Sequence, residues 1–382
     1  MGDRRDRPDR MTPDLVSRQD GVSRRAFLQD VAATGLMFVG CAAMPRVAGA
    51  QGRSGGPSAP VLLGGRRIRT IDIHTHCVVP EASAVLQRTV NRQAALPLAG
   101  QPLEDRLRTM DAQRIDVSVL SINPNWYDVD RDVAAHVVSL QNESLAAFCA
   151  SHTDRFAAFA TIALQFPDLA VEQLVHATRQ LGFRGVAIGT SVAGRELSDP
   201  AFHPFWAKAE ELGSVVFIHP QTAPELTGRL KGNGALGNVI GNPLEMTIAL
   251  SHLIFEGTMD RFSGLKICAA HGGGYLPSYK NRSDVGCQVF PEQCTPGVPK
   301  KTPTEYLKQM YFDSVVFETE ALRHLAAEVG ASRIVMGSDQ PYPWARAPVD
   351  HIVNTPGLTD DERAAMLGGT AAALLGLPVG RG

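Results

Sequence analysis

The sequence predicts an α/β fold, a (β/α)8 barrel of the TIM type. Eight short apolar runs rich in β-branched residues recur from residue 68 onward, and segments with helical periodicity separate them. Such alternation is typical of a parallel sheet with helices on its outside. No Gly-rich phosphate-binding turn follows the first run, which argues against an open doubly wound sheet. A chain of 382 residues, 44% of them hydrophobic, is long enough to fill one barrel.

The predicted elements follow one another in regular order. The eight strands are expected at residues 68–73, 117–122, 156–164, 185–188, 214–218, 265–270, 310–315 and 333–336. Helical periodicity is clearest at residues 133–150, 168–181 and 204–212. Two longer segments rich in Gly and Pro, 222–243 and 278–303, are expected to form loops above the barrel mouth.

The N-terminal segment is expected to lie outside the fold. Arg24-Arg25, followed by Phe27 and a run without charges, has the form of a twin-arginine export signal, and small residues before position 50 predict cleavage after Ala50. We therefore expect a signal peptide at 1–50, a linker at 51–66 and the barrel domain at 67–382, with export to the periplasm or beyond. A short amphipathic helix on a cytosolic protein and a lipid anchor on Cys41 are the alternatives. Only about 15 residues run uncharged, too few for a membrane span.

Composition excludes one class of partner. Lys and Arg total 37 against 39 Asp and Glu, which leaves no basic excess to bind phosphate backbones. Aromatic residues make up 6% of the chain, too few to indicate a base-stacking surface. We expect no nucleic-acid partner. Cys287 and Cys294 are close enough in sequence to pair, but the sequence leaves that open.

Polar side chains stand at the ends of four predicted strands. His74 and His76 follow the first strand, His219 the fifth, His271 the sixth and Asp339 the eighth. In a parallel barrel these positions line one mouth, and the alternate spacing of His74 and His76 points both rings the same way. A lone His at a strand end is usually a hydrogen-bonded rim residue, and Asp339 alone reads as a helix N-cap. Their coincidence at one mouth instead predicts a metal site.

The other histidines serve as an internal comparison. They fall in predicted helices or loops away from strand ends, and we interpret six of them as structural: His136, His152, His176, His203, His324 and His351.

Several motifs, in this order and spacing, resemble one family. They are IDIHTH at 71–76, RLRTMD at 106–111, LGFRGVAIGT at 181–190, VFIHP at 216–220, GNPLEMT at 241–247, HGGG at 271–274 with Pro277 and Arg282, and GSD at 337–339 with Pro341. From residue 71 to about residue 377 the chain resembles the amidohydrolase superfamily. Within that superfamily it is most similar to the branch of the aminocarboxymuconate-semialdehyde and hydroxybenzoate decarboxylases.

The resemblance implies a role for each mouth residue. His74, His76, His219 and Asp339 would hold one divalent ion, and His271 would act as the acid–base group beside a metal-bound water that serves as proton source. Three neutral imidazoles and a carboxylate suit Zn²⁺, with Mn²⁺ as the alternative, and an imidazole both accepts and donates protons near neutral pH. No organic cofactor is expected.

The resemblance also implies how a substrate carboxylate is bound. Arg282 matches an arginine that reaches the active site of the neighbouring subunit, which implies a homodimer, and Arg is suited to bidentate binding of a carboxylate. A second substrate-binding arginine is expected upstream of Arg106, where Arg92 is the candidate and Arg88 stands nearby. The sequence departs from the family pattern at Gln221, where an aromatic residue usually follows His-Pro.

The expected function is metal-dependent, non-oxidative decarboxylation of a small unsaturated or aromatic carboxylic acid. The same ligands would serve a hydrolase or hydratase acting on a lactone, an amide or a double bond. A third alternative is an exported binding protein that has lost activity, although all five mouth residues are present.

Overall fold

The computed structural model describes residues 38–40, 59–89, 99–101, 103–221, 224–294, 301–342 and 344–378. The twin-arginine motif, Cys41, the predicted cleavage site after Ala50 and the substrate-binding candidate Arg92 lie outside the described residues. Within the described part of the chain, no helix is long and apolar enough to cross a membrane.

Eight parallel strands form the barrel. They are β1 (Ile71–His76), β2 (Val117–Ser121), β3 (Phe156–Ala158), β4 (Gly185–Gly189), β5 (Val215–His219), β6 (Lys266–Ala269), β7 (Tyr311–Asp313) and β8 (Ile334–Val335). Strands β1–β3 form one ladder and β4–β8 another. A parallel bridge between Ala160 and Val186 joins β3 to β4.

The seam between the first and last strands closes the barrel. A parallel bridge pairs Thr75 with Gln340, and the Ile73 N–H donates to the Met336 carbonyl at 2.9 Å. Strand order and closure confirm the predicted (β/α)8 barrel.

The first strand begins three residues later than predicted. Arg66–Ile68 pairs antiparallel with Val61–Leu63, and Gly64 and Gly65 form the turn with φ of 55° and 79°. Positive φ at both central residues is what a two-residue hairpin turn requires. The last part of the predicted linker at 51–66 is therefore a hairpin. The predicted strand 68–73 merged the end of this hairpin with β1, because only Arg69 and Thr70 separate the two strands.

Other short pairings lie outside the barrel. Phe38–Gly40 pairs antiparallel with Ala99–Gln101, and Ser191–Val192 pairs with Arg195–Glu196.

Helices follow most strands. In chain order they are α1 (Pro80–Thr89), α2 (Leu103–Ala112), α3 (Arg131–Ser151), α4 (Pro167–Arg179), α5 (His203–Leu212), α6 (Asn242–Phe255), α7 (Thr258–Arg261), α8 (Leu276–Val289), α9 (Pro303–Leu307), α10 (Thr319–Val329), α11 (Pro348–Val353), α12 (Asp360–Ala364) and α13 (Thr370–Leu375). Short 3-10 turns occur at Pro200–Phe202, Pro224–Leu226, His271–Gly273, Pro291–Gln293 and Ala331–Arg333, and π-helical turns at Gly237–Gly241 and Ala365–Gly369. The three segments with the clearest periodicity are α3, α4 and α5.

The prediction of a loop at 278–303 is wrong over the first part of this segment, which belongs to α8. Helical periodicity was not visible there because Tyr279, Val285 and Val289 point away from the core and are exposed. Cys287 and Cys294 form a disulfide at the end of this helix. The segment 222–243 likewise contains a 3-10 turn and a π-helical turn among its loop residues.

Aromatic side chains fill the barrel below the mouth. Phe159 and Phe217 stack with ring centroids 5.3 Å apart, and both are fully buried. The Phe217 ring also contacts His74, at 5.2 Å between centroids, so the histidines of the mouth rest on an apolar floor. Such burial stabilises the fold by about 25 cal/mol for each Å² of apolar surface.

Candidate metal centre

The four predicted ligands meet at the C-terminal mouth. His74 and His76 end β1, His219 ends β5 and Asp339 follows β8, and all four are buried. One ligand atom from each lies within 4.8 Å of the others. The Nε2 atoms of His74 and His76 are 3.1 Å apart, and Asp339 Oδ1 lies 2.8 Å from the second of them. Four atoms this close can contact one ion.

The backbone around the cluster departs from regular geometry. The β1–β2 register shifts between Asp72 and Thr75, so an irregularity spans His74. Asp339 has φ of 61°, and its N–H donates to the His74 carbonyl at 2.9 Å. A non-glycine residue in this left-handed region costs about 1–2 kcal/mol, a strain found at functional sites.

A buried carboxylate ties the two strained segments together. Asp72 accepts hydrogen bonds from the His74 N–H at 3.2 Å and from the Ser338 N–H at 3.0 Å, and also from the Ser338 hydroxyl. Burial raises the pKa of Asp72 to about 6, although Ser338 and the Arg106 guanidinium oppose the shift. Asp72 thus holds the end of β1 against the loop that carries Asp339.

The electrostatics of the cluster fit a cation. Both ring nitrogens of His219 are buried without a hydrogen-bond partner among the described residues, a costly arrangement unless something binds them. Burial, and then the neighbouring histidines, hold the pKa of His219 well below its usual value. Burial would also lower the pKa of His74, but Asp339 and Asp313 outweigh it and raise that pKa to about 10. Neutral nitrogens on His219, and carboxylates that attract positive charge around His74, match what a divalent ion requires.

His271 stands at the edge of the cluster. It follows β6, has φ of 52°, and its Nε2 lies 3.5 Å from Asp339 Oδ2. Its Nδ1 is buried without a hydrogen-bond partner among the described residues. The next residues must be glycines, because a Cβ on Gly274, at φ of 67°, would come within 2.1 Å of the Pro243 carbonyl oxygen. The glycine turn therefore lets His271 lie close to the cluster. Helix α8 begins two residues after the turn, at Leu276.

Asp313 is a site residue that the sequence analysis missed. Its Oδ2 lies 2.5 Å from His74 Nδ1 and accepts from the His271 N–H at 3.0 Å, while its Oδ1 accepts from the Gly272 N–H at 2.9 Å. A carboxylate on Nδ1 fixes the tautomer that leaves Nε2 free for an ion. Burial would raise the pKa of Asp313, but His74 and then His271 outweigh it and lower that pKa. The strand-end rule could have found this residue, since it ends β7.

Of the two predicted substrate arginines, Arg92 lies outside the described residues, and Arg282 is not among the residues of the metal cluster. Arg282 is exposed on α8 and forms no hydrogen bond or ion pair with any described residue. Gln221, which follows His219 and Pro220, donates from its side-chain amide to the Pro124 carbonyl. That contact holds the Gln221 amide between the ends of β5 and β2.

The sequence analysis assigned no role to one histidine. His252 lies on α6, where its Nδ1 is hydrogen-bonded to Glu256 and its Nε2 is 3.8 Å from Glu196. It belongs to a surface group of charges apart from the four clustered ligands.

Comparison with known proteins agrees with this geometry. Residues 71–377 match the family model described as Amidohydrolase. The chain is 30% identical over 277 residues to 2-amino-3-carboxymuconate-6-semialdehyde decarboxylase of Dictyostelium discoideum, covering 71% of this chain and 76% of that protein. It is 29% identical over 255 residues to gamma-resorcylate decarboxylase of Rhodococcus jostii (strain RHA1), covering 62% of this chain and 76% of the relative.

A solved structure shares the fold. Dihydroxybenzoic acid decarboxylase from Polaromonas sp. JS666, with bound manganese and the inhibitor 2-nitroresorcinol, superposes with a TM-score of 0.69 at 23% identity. The match covers 81% of this chain and 97% of that one. The resemblance seen in the sequence is confirmed: the relatives are decarboxylases, and this chain belongs to the amidohydrolase family.

Proposed function

We propose that the protein is a metal-dependent, non-oxidative decarboxylase of a small unsaturated or aromatic carboxylic acid. The observation that carries the proposal is the buried set of His74, His76, His219 and Asp339, with His271 Nε2 3.5 Å from the Asp339 carboxylate. The two relatives named above, both decarboxylases, support this reaction over hydrolysis. Their substrates point to a semialdehyde of the carboxymuconate type or a hydroxybenzoate.

A divalent ion held by the four ligands would supply a Lewis acid, which lowers the pKa of water and polarises substrate oxygens. His271 holds the transferable proton beside the cluster and delivers it to the carbon that bears the substrate carboxylate. The bond from that carbon to the carboxylate then breaks, its electron pair restores the conjugated system, and carbon dioxide leaves. Water returns a proton to His271, so the reaction consumes one proton and needs no oxidant.

Asp313 and Asp339 position this proton transfer. Asp313 fixes the backbone of His271 through the His271 and Gly272 N–H groups. Asp339 lies on the Nε2 side of the same imidazole. Asp313 therefore fixes the backbone of His271 while Asp339 faces its imidazole, which keeps the transferable proton near one place at the cluster.

We propose zinc as the resident ion, with manganese as the alternative. A set of three imidazoles and one carboxylate suits zinc, whereas the Polaromonas structure was solved with manganese. Elemental analysis of purified protein should give about one zinc per chain, consistent with a one-ion ligand set. A result of about one manganese per chain and no zinc would support the proposed site but identify manganese as its ion.

The reaction is tested by measuring carbon dioxide release from carboxymuconate semialdehydes and hydroxybenzoates. Release from one member, lost in His271→Ala while the metal content stays unchanged, is the expected result. Bound metal with no carbon dioxide from any member, but turnover of a lactone, an amide or a double bond, would move the assignment to a hydrolase or hydratase. Bound metal with no turnover of any kind would leave a binding protein.

We propose a homodimer in which Arg282 binds the substrate carboxylate of the neighbouring active site. Support comes from α8, where Arg282 lies on an exposed stripe with Tyr275, Tyr279 and Val289, which are 36%, 65% and 58% exposed. Exposed apolar residues at helical spacing are typical of an interface, and Arg is enriched in such surfaces.

Mixing two impaired variants, assayed at a substrate concentration far below the KM of Arg282→Ala, tests the shared site. Arg282→Ala should raise KM without loss of metal, and His271→Ala should lose turnover. Coexpressed, the two should regain up to about a quarter of wild-type activity per site, because half of the sites in mixed dimers combine an intact His271 with an intact Arg282. No recovery in a proven mixed dimer would place Arg282 in a site built from one chain.

We also propose export through the twin-arginine route, with release after Ala50. The disulfide between Cys287 and Cys294 supports an oxidising compartment. Cell fractionation should find the wild-type protein outside the cytoplasm and the Arg24→Lys, Arg25→Lys variant inside it. Membrane association that is lost in Cys41→Ala would favour a lipid anchor instead.

A further inference from the structure

A second cavity lies beside the metal centre and shares none of its residues. Its volume is about 300 Å³, at the lower end of the range for small-molecule sites. The loops after β7 and β8 and the helix α11 enclose it. Its lining includes Ser314, Phe317, Gly337, Trp344, Arg346 and His351.

Two aromatic rings form one side of this cavity. Phe317 and Trp344 are 55% and 40% exposed, with ring centroids 6.3 Å apart and planes tilted by 44°. Phe317 has φ of 63° and sits in a tight turn in which the Glu318 N–H donates to the Val316 carbonyl at 2.8 Å. A bulky residue in this region is strained, and such strain is concentrated at ligand sites. The turn leaves the Phe317 ring more than half exposed at the cavity.

The lining also contains a hydrogen-bonding group without a partner in the described part of the chain. His351 Nε2 is buried and has no hydrogen-bond partner among the described residues, while the ring bonds to the backbone of Ser314. Burial lowers the pKa of His351, partly opposed by the Glu318 carboxylate, and so favours the neutral ring. With the other nitrogen on the Ser314 backbone, Nε2 is left as an acceptor that calls for a hydroxyl donor.

The cavity also has a cation at its rim. Arg346 is exposed, and its guanidinium forms no ion pair within the described part of the chain. The other charge in the lining, Asp350, is already paired with Arg114. The guanidinium of Arg346 suits a carboxylate at the solvent end of a flat ligand.

Gly337 lines this cavity and also packs against residues of the metal centre. A Cβ on Gly337 would come within 3.0 Å of the His74 Cβ and 3.1 Å of the Asp313 Cβ. A ligand in the cavity therefore lies one backbone layer from the residues that orient His74.

We propose that this cavity is a second binding site for a hydroxylated aromatic carboxylate, with the ring against Phe317 and Trp344. The hydroxyl donates to His351 Nε2, and the carboxylate faces Arg346. The proposal concerns a site other than the metal centre; only the second equivalent expected for the wild-type protein rests on the proposed function, and the equivalent bound by His219→Ala does not.

Calorimetric titration of the metal-loaded protein with 3-hydroxybenzoate tests the proposal, because stoichiometry separates the two sites. The wild-type protein should bind two equivalents per chain. His219→Ala, which disables the metal centre, should bind one, and His351→Leu should also bind one. His324→Leu, the same change on the outer face of α10, is the matched control and should bind two. Benzoate, which lacks the hydroxyl, should bind the cavity at least about fivefold more weakly.

A second variant guards against damage to the fold. Trp344→Ala alters an exposed side chain and should weaken the cavity equivalent about tenfold while leaving the other equivalent unchanged. No binding to His219→Ala would place all of the ligand at the metal centre and overturn the proposal. Unchanged stoichiometry in His351→Leu together with unchanged affinities in Trp344→Ala would overturn it as well.

Discussion

Asp313 is the single residue that connects the ion ligand His74 with the acid–base candidate His271. We expect Asp313→Asn to weaken metal binding about 10- to 100-fold, because an amide nitrogen would replace one acceptor oxygen and face N–H groups. Competition with a chelator measures the change. Asp361→Asn, on a side chain that is 94% exposed, controls for loss of charge and should bind metal normally. Unchanged affinity in Asp313→Asn would remove the positioning role.

His351 gives a pH dependence of known sign. Its folded-state pKa is lowered by burial, so below about pH 6.5 the unfolded chain binds a proton that the folded chain resists. The stability tied to this residue is present above that pH and is lost as the pH falls. His351→Gln should therefore lose stability less steeply than wild type between pH 7 and 5, measured by urea unfolding of the metal-loaded protein. Parallel curves for the two proteins would contradict the shift.

At the residue scale, the sequence predicted the side chains that face the barrel mouth but missed Asp313, the carboxylate that orients two of them. His74, His76, His219 and Asp339 could be found because polar residues at strand ends are conspicuous. Asp313 was missed because the predicted strand ran from 310 to 315 and placed this residue inside it, whereas β7 ends at Asp313. Its partners lie on β1 and after β6, and only the closed barrel brings them together.

At the scale of elements, α8 is the segment whose surface is least explained by one chain. We expect Tyr279→Asp to dissociate the proposed dimer, because it places a charge among the exposed apolar residues of that helix. Sedimentation velocity measures the change in mass, and the circular dichroism spectrum should stay unchanged. Leu62→Asp is the matched control, since Leu62 is 57% exposed on the N-terminal hairpin. A dimer that survives in Tyr279→Asp, or a wild-type monomer, would remove this interface.

The same helix shows why element prediction was incomplete. Barrel strands are buried on both faces, so their apolar runs stand out in the sequence. Helix α8 exposes several large apolar residues to solvent, and its buried residues, Leu276 and Pro277, both lie in its first turn. Its periodicity is therefore absent, and Gly286, Pro277 and the polar residues between them resemble a loop.

At the scale of the whole molecule, the ion would join three parts of the barrel. The ligands come from β1, β5 and the loop after β8, so an ion bound there ties opposite strands and the seam together. Binding to the folded state alone stabilises a protein by about 4 kcal/mol at a thousandfold excess over Kd. We expect chelation to lower the melting temperature by several degrees, and His219→Ala to show the lower value with or without chelator. Identical melting before and after removal of a bound ion would mean that the ion contributes nothing to the fold.

Closure of the seam has a consequence for biosynthesis. His76 and Asp339 are 263 positions apart, and the second follows the last strand. A nascent chain on the ribosome has made its first two histidine ligands long before the carboxylate is translated, and the ligand set is incomplete until nearly all of the barrel has emerged. Loading of the ion therefore comes after synthesis of the domain, and a prematurely terminated product would carry histidines but no complete site. Possession of the ion would then mark a finished chain.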